Sequence, residues 1–246
     1  VRQVGVLGGG VMGGGITQVL AAAGYDVVVR DVSQEVLERT LHTVVDTKFG
    51  LRRSVELGKL DAGELQPTID RIALTTDVDD LAGVDFVIEA IPERLELKQQ
   101  AFAELDRIVN AAAIFTSNTS GFVIAEIARD VSEERRTRFA GMHFASPVPA
   151  MRMCEVVSTP EASETTIATV CAVAQRMGKV VCMVKDAGGT YGFILNRVFA
   201  AARREADRIV DAGIATREDV DKAMMTGRNW PVGFYGSRGV RSGWLD

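Results

Sequence analysis

Two histidines occur in this 246-residue chain, and their settings differ. His42 falls inside a helical pattern with no acidic arrangement around it. His143 closes an apolar run, Arg138-Phe139-Ala140-Gly141-Met142, and leads into Phe144-Ala145-Ser146-Pro147-Val148-Pro149. Beyond that Pro-x-Pro turn a second apolar run carries one carboxylate, Met153-Cys154-Glu155-Val156-Val157. A lone histidine is more often structural than catalytic. A glutamate within a buried strand, however, needs a partner, because an isolated buried charge is costly. Pairing His143 with Glu155 across the turn satisfies both. The carboxylate would fix the imidazole tautomer and offset its protonated charge, which is the arrangement of a general base.

The first 31 residues hold a second arrangement with chemical content. An apolar run, Val4-Gly5-Val6-Leu7, passes into Gly8-Gly9-Gly10-Val11-Met12-Gly13-Gly14-Gly15-Ile16, then a helical stretch, then Val27-Val28-Val29-Arg30-Asp31. Strand, glycine-rich turn, helix, strand and acid form the dinucleotide-binding βαβ pattern. Gly8 permits the tight turn, and Gly10 lets the backbone approach a pyrophosphate. Gly13 lets the helix pack on the strand, and the helix N-terminus offers N–H groups to phosphate. Asp31 stands where an acid would take ribose hydroxyls and repel a 2′-phosphate, which favours NAD over NADP; Arg30 beside it acts slightly against that choice. The glycines alone would also suit a flexible loop, and Asp31 with Gln34 a helix cap. The flanking strands favour the dinucleotide.

Composition narrows the class. Hydrophobic residues make up 47% and charged residues 25%, ordinary proportions for a globular chain. The net charge of −5, with basic pairs only at Arg52-Arg53 and Arg135-Arg136, argues against nucleic acid as a partner. No apolar run reaches the roughly 18 residues of a membrane span, and the N-terminus reads as a strand, not a signal peptide. Cys154, Cys171 and Cys182 are odd in number and lack metal-ligand spacing, so no metal is expected and the thiols read as reduced core residues of a cytoplasmic protein.

The elements that must position these groups follow from periodicity. A helix is predicted over 34–57; its far end carries Lys48, Arg52, Arg53 and Lys59, either a solvated face or a grip for an anionic substrate tail. Strands are predicted over 72–75, 86–90 and 114–116. Pro92 should start a helix with Glu93 in its first turn. Ser117-Asn118-Thr119-Ser120-Gly121 reads either as a strand end facing a ligand crevice or as a turn capping a helix over 123–129. A helix over 164–177 and a strand over 179–184 come next. Ala187-Gly188-Gly189-Thr190 reads as a hinge, followed by helices over 193–212 and 217–225. The expected fold is α/β: a Rossmann-type, mostly parallel sheet with a helical insertion over residues 1–186, then a small, shortened, all-helical domain over 187–246.

These stretches together resemble the L-3-hydroxyacyl-CoA dehydrogenase family, which includes the bacterial 3-hydroxybutyryl-CoA dehydrogenases. The resemblance rests on the glycine-rich stretch with Asp31, on Glu89-Ala90-Ile91-Pro92-Glu93, on Ser117-Asn118-Thr119-Ser120, on the segment from His143 through Met151 to Val157, and on Gly192-Phe193-Ile194-Leu195-Asn196-Arg197. It implies NAD-dependent oxidation of an L-3-hydroxyacyl-CoA to the 3-ketoacyl-CoA by a homodimer. His143 would be the base, Glu155 its orienting partner, and Ser120 and Asn196 would hold the reacting oxygen and the histidine–substrate geometry. Gly8, Gly10, Val11, Met12, Gly13, Asp31, Glu93, Lys98, Ser120 and Ser146 would bind the cofactor. The acyl-CoA would meet Ser120, with its tail toward Lys48 and Arg52.

Four departures from the family pattern stand out. Ser146 replaces an asparagine near the nicotinamide. Asp186-Ala187-Gly188-Gly189-Thr190-Tyr191-Gly192-Phe193 replaces the shorter Asp-x-Pro-Gly-Phe and lacks its rigid proline. Trp230-Pro231-Val232-Gly233 continues with Phe234-Tyr235 instead of another proline and a helix. The helical domain is also short, which implies truncation or a frameshifted tail and predicts poor order after about Gly227. Two alternatives remain open: a dehydrogenase of free hydroxy or sugar acids, and a non-catalytic NAD-binding protein.

Overall fold

Strand β1 (Gln3–Leu7) buries Val4 and Val6 completely and runs into Gly8, whose φ of +99° turns the chain into helix α1 (Val11–Ala22). The computed structural model describes residues 1–188 and 191–237. Strand β2 (Asp26–Arg30) returns parallel to β1. The insertion follows as α2 (Gln34–Asp46), α3 (Leu51–Glu56) and α4 (Leu65–Ile69), before β3 (Ile72–Thr75). The single helix predicted over 34–57 is thus two. Thr47 is extended, with ψ 174°, and Gly50 begins the second helix in a position where a Cβ would lie 2.6 Å from the Val45 carbonyl oxygen.

Strand β4 (Phe86–Glu89), helix α5 (Leu95–Ile108) and strand β5 (Ile114–Ser117) form the next crossover. Helix α5 starts at Leu95 rather than at Pro92, because Arg94 is extended and Glu93 bonds to another loop. Two short helices, α6 (Ile124–Ile127) and α7 (Glu133–Arg136), lead to β6 (Phe139–Phe144). Strand β7 (Met153–Ser158), helix α8 (Glu164–Arg176) and strand β8 (Val180–Lys185) complete the sheet.

The strand order is β3-β2-β1-β4-β5-β6-β7-β8, parallel throughout except for the antiparallel β6–β7 pair. The expected mostly parallel, Rossmann-type sheet is therefore present. Its order reverses between β1 and β4, and a crevice at such a reversal takes ligands at the carboxyl ends of the strands. On one face, Val4, Val6, Phe86, Met142 and Phe144 meet Ile16 and Leu20 of α1 and Val170 and Val173 of α8. The alternate residues point the other way: Phe115 and Phe139 pack on Phe102 of α5, at centroid distances of 5.7 and 4.6 Å. Arg135 is buried beneath them, donating to Asp106 and to the carbonyls of Val109, Asn110 and Ala113.

Contacts divide the chain after Tyr191, later than the break at 187 expected from the sequence. The second unit holds α9 (Ile194–Asp211) and α10 (Arg217–Gly227) around Ala206, Val220 and Phe234. Residues 228–237 form no helix, yet they pack instead of trailing away as expected from Gly227 onward. Trp230 meets Phe234 edge-on, and the buried Asp221 carboxylate accepts the N–H groups of Tyr235 and Ser237. The rest of the atypical tail, 238–246, and the hinge residues Gly189 and Thr190 lie outside the described residues. Among the described residues, no helix is long and apolar enough to cross a membrane.

Candidate active site

The carboxyl ends of β1 and β2 and the segment after β4 frame a cleft of about 800 Å³, lined among others by Gly8, Gly10, Val11, Met12, Asp31 and Ile91. Gly13 lies beneath it, and a side chain there would run into the Gly8 carbonyl, so the α1–β1 approach requires glycine. The Cβ direction of Gly10 meets nothing within 4 Å. Helix α1 has no side-chain cap and no acid in its first turn, which leaves its N-terminal N–H groups to an anion. Asp31 is not the cap of α2; Ser33 is, accepting from Val36 N. Instead Asp31 Oδ2 accepts from Gly9 N at 2.7 Å, which ties the acid to the glycine turn. A dinucleotide fits these features: open backbone for the phosphates, a fixed acid for the ribose.

His143 ends β6 and Glu155 sits directly opposite it on β7. His143 Nδ1 donates to Glu155 Oε2 at 2.6 Å, with the residues 5% and 1% exposed. Gly141, two residues before the histidine, is packed so closely that a Cβ would lie 2.7 Å from the Val157 Cβ, so the two strands approach tightly here. Lys179 pins the turn between them, donating to the carbonyls of Val148 and Met151, and burial pulls its pKa down. Asn118 Oδ1 accepts from Phe144 N at 2.9 Å, joining the end of β5 to the residue after the histidine. The Ser117–Gly121 stretch is therefore more than a capping turn.

A second buried cluster stands behind that stretch. Lys98 Nζ reaches Glu89 Oε1 at 2.5 Å and Glu93 Oε2 at 3.2 Å. Glu89 is fully buried and also accepts from Ser117 Oγ and Ile91 N. Burial drives its carboxyl upward, and the bonds from Lys98 and Ser117 only partly offset that. Glu93 is burdened by partial burial too, but Thr119, Lys98 and the Ser120 N–H together hold its carboxyl below the usual range. Its Oε1 accepts from Thr119 Oγ1 at 2.6 Å and from Ser120 N at 2.8 Å.

The structure thus brings Glu93, Lys98 and Ser120 into one network, with Lys98 only 1% exposed as its internal cation. Ser146 is exposed and precedes a cis Ser146–Pro147 bond. Lys48 and Arg52 are exposed but engaged: Lys48 lies over the Phe49 ring, and Arg52 pairs with Asp46 at 2.8 Å. Asn196 stands in the first turn of α9, within the second unit. Sequence reasoning missed Lys179 and, although it singled out the stretches that hold Glu89, Asn118 and Thr119, gave those three no individual role. A buried-strand glutamate nine residues before a lysine is the one available signal for the Glu89–Lys98 pair.

Comparison with known proteins agrees with this geometry. Residues 3–187 match the family model described as 3-hydroxyacyl-CoA dehydrogenase, NAD binding domain, and residues 192–237 match its C-terminal domain. Human mitochondrial hydroxyacyl-coenzyme A dehydrogenase is 37% identical over 236 residues, 95% of this chain and 74% of that protein. A Deinococcus radiodurans protein named "Probable 3-hydroxybutyryl-CoA dehydrogenase" is 40% identical over 232 residues, 94% of this chain and 80% of that one. The crystal structure of (S)-3-hydroxybutyryl-CoA dehydrogenase from Ralstonia eutropha superposes with a TM-score of 0.88 at 35% identity, covering 95% of this chain and 80% of that one. Glycine cleft, buried His–Glu pair and sequence similarity converge: the chain belongs to the NAD-dependent 3-hydroxyacyl-CoA dehydrogenase family.

Proposed function

We propose that this enzyme oxidises L-3-hydroxyacyl-CoA to 3-ketoacyl-CoA with His143 as general base. The observation that carries the reading is the 2.6 Å His143–Glu155 bond at the carboxyl end of the sheet, tied through Asn118 to the Ser120 loop. NAD, when bound, supplies a hydride acceptor at its nicotinamide. Glu155 keeps the Nδ1 proton on the imidazole and so makes Nε2 the basic nitrogen. His143 takes the proton of the C3 hydroxyl as hydride leaves C3, and returns it to the alkoxide in the reverse direction. The imidazolium formed then faces Glu155, and a buried charge-assisted bond of this kind contributes about 1.5–3 kcal/mol. The family resemblance assigns the reacting oxygen to Ser120 and substrate alignment to Asn196. The glycine turn and Asp31 hold the pyrophosphate and the ribose.

The family resemblance supports a homodimer, and the three free thiols, Cys154, Cys171 and Cys182, a cytoplasmic setting; sedimentation velocity tests the assembly. One observation favours a second substrate class. Arg52 and Arg53 pair with Asp46 and Glu56, so these arginines are partly neutralised as a grip for a CoA phosphate. A free hydroxy acid would not need them. NADH oxidation with acetoacetyl-CoA, for wild type and His143→Ala, separates the readings. The proposal expects turnover that falls about 10²–10⁴-fold in the variant while NADH still binds by fluorescence titration. Binding of NADH by wild type without turnover of acetoacetyl-CoA, but with turnover of a free 3-keto acid, would overturn it.

A further inference from the structure

The connector after β8 is fastened to the Ser120 loop at two points. At its start, both carboxylate oxygens of Asp186 accept N–H groups from the beginning of α6: Oδ1 from Ile124 at 3.0 Å and Oδ2 from Ala125 at 2.8 Å. Gly188 lies against the same loop, its Cβ direction 3.6 Å from Val123 Cγ2. Further on, the Tyr191 hydroxyl donates to Glu93 Oε1 at 3.1 Å, and its ring meets Phe122 edge-on with centroids 6.3 Å apart. Tyr191 stands immediately before Gly192, where the resembled pattern has a rigid proline that can donate no hydrogen bond.

We propose that Tyr191 is a positioning residue for Glu93 and Ser120, substituting in this chain for the fixed proline geometry. Thr119 Oγ1, Ser120 N and the Tyr191 hydroxyl all converge on Glu93 Oε1, while Glu93 Oε2 faces Lys98. With both oxygens engaged, the carboxylate cannot rotate, and the Ser120 backbone that it anchors holds its own hydroxyl in one direction. The phenol is a lasting donor here: burial and the Glu93 charge push its pKa up, and its hydroxyl interacts with the Ser120 side chain as well. Tyr191 is 57% exposed, so its removal costs little folding stability and acts on the geometry of its two partners. The inference rests on the dehydrogenase reading for the role of Ser120, and on the family's NAD site for that of Glu93.

Tyr191→Phe keeps the ring on Phe122 and removes only the hydroxyl. It is compared with Ser120→Ala and with the double variant, by thermal unfolding, NADH fluorescence titration, and kcat and KM with acetoacetyl-CoA. Tyr191→Phe should shift Tm by no more than about 1 °C, raise the NADH Kd about threefold, and lower kcat about three- to tenfold with KM held within about twofold. Added to Ser120→Ala, it should cost less than about twofold more in either quantity, because the two act through one network. Losses that multiply, or a Tyr191→Phe enzyme equal to wild type in both NADH affinity and kcat, would overturn the proposal. Wild type without acetoacetyl-CoA turnover would refute the dehydrogenase reading instead, and the NADH titrations alone would then decide for or against Tyr191.

Discussion

Replacing Lys98 with methionine removes the ammonium from a cluster of two carboxylates. Lys98 Nζ touches Glu89 Oε1 at 2.5 Å, Glu93 Oε2 at 3.2 Å and the Ile91 carbonyl at 3.3 Å, and all of this is buried on the lysine side. Breaking a buried pair from one side costs about 3–5 kcal/mol. Glu89 keeps Ser117 Oγ and Ile91 N, and Glu93 keeps Thr119 and Ser120, so the lower end applies. We expect about 3 kcal/mol at pH 7, or a Tm lower by about 6–12 °C for a chain of this size. The sign of the pH dependence follows from Glu89. Its carboxyl is raised in the folded state, chiefly by burial, and loses its strongest opposing pull with Lys98. A raised carboxyl contributes stability below its unfolded pKa and loses it as pH climbs through the folded value. The deficit should therefore shrink on acidification below neutrality, by up to about 1.4 kcal/mol per pH unit. Glu93 works oppositely, contributing stability above the ordinary carboxylate range that fades as pH falls through its lowered value; without Lys98 that contribution is smaller. Urea unfolding of both proteins at pH 7, 6 and 5 reads the difference. A deficit that stays constant with pH, or no deficit at all, would refute the reasoning.

Two further substitutions address the chemistry. Glu155→Gln keeps a polar partner for His143 but removes the charge, so kcat/KM should fall about 10- to 100-fold while NADH affinity holds; a loss under twofold in steady-state assays would sink the role given to the carboxylate. Asp31→Ser should weaken NADH about tenfold and improve NADPH relative to it, because Arg30 lines the same cleft. Equal losses for both cofactors would show that Asp31 does not choose between them.

The groups readable from sequence are those whose partners lie on consecutive elements. His143 and Glu155 are separated by one turn, and the glycines and Asp31 by one helix, so strand and helix periodicity places them. The groups that escaped depend on distant chain. Nothing local says that Glu93 leaves the start of α5 to bond Thr119, or that Tyr191 reaches back to Glu93 across 98 positions. Arg135, legible in the sequence only as half of a basic pair, is a buried cation over the Phe115 ring. The break between α2 and α3 was hidden for a different reason: apolar spacing continues through it, while Gly50 decides the backbone.

Strand β7 pairs with its neighbour β6 in a single register, and that register makes the His143–Glu155 pair all-or-none. Opposed residues of an antiparallel pair share one face, so a slip of a single position would turn Glu155 away from His143 altogether. Intermediate misalignments have no stable register to occupy. Damage elsewhere in the sheet should accordingly lower the amount of competent enzyme rather than the rate of each competent molecule, and active-site titration would find fewer sites of unchanged turnover.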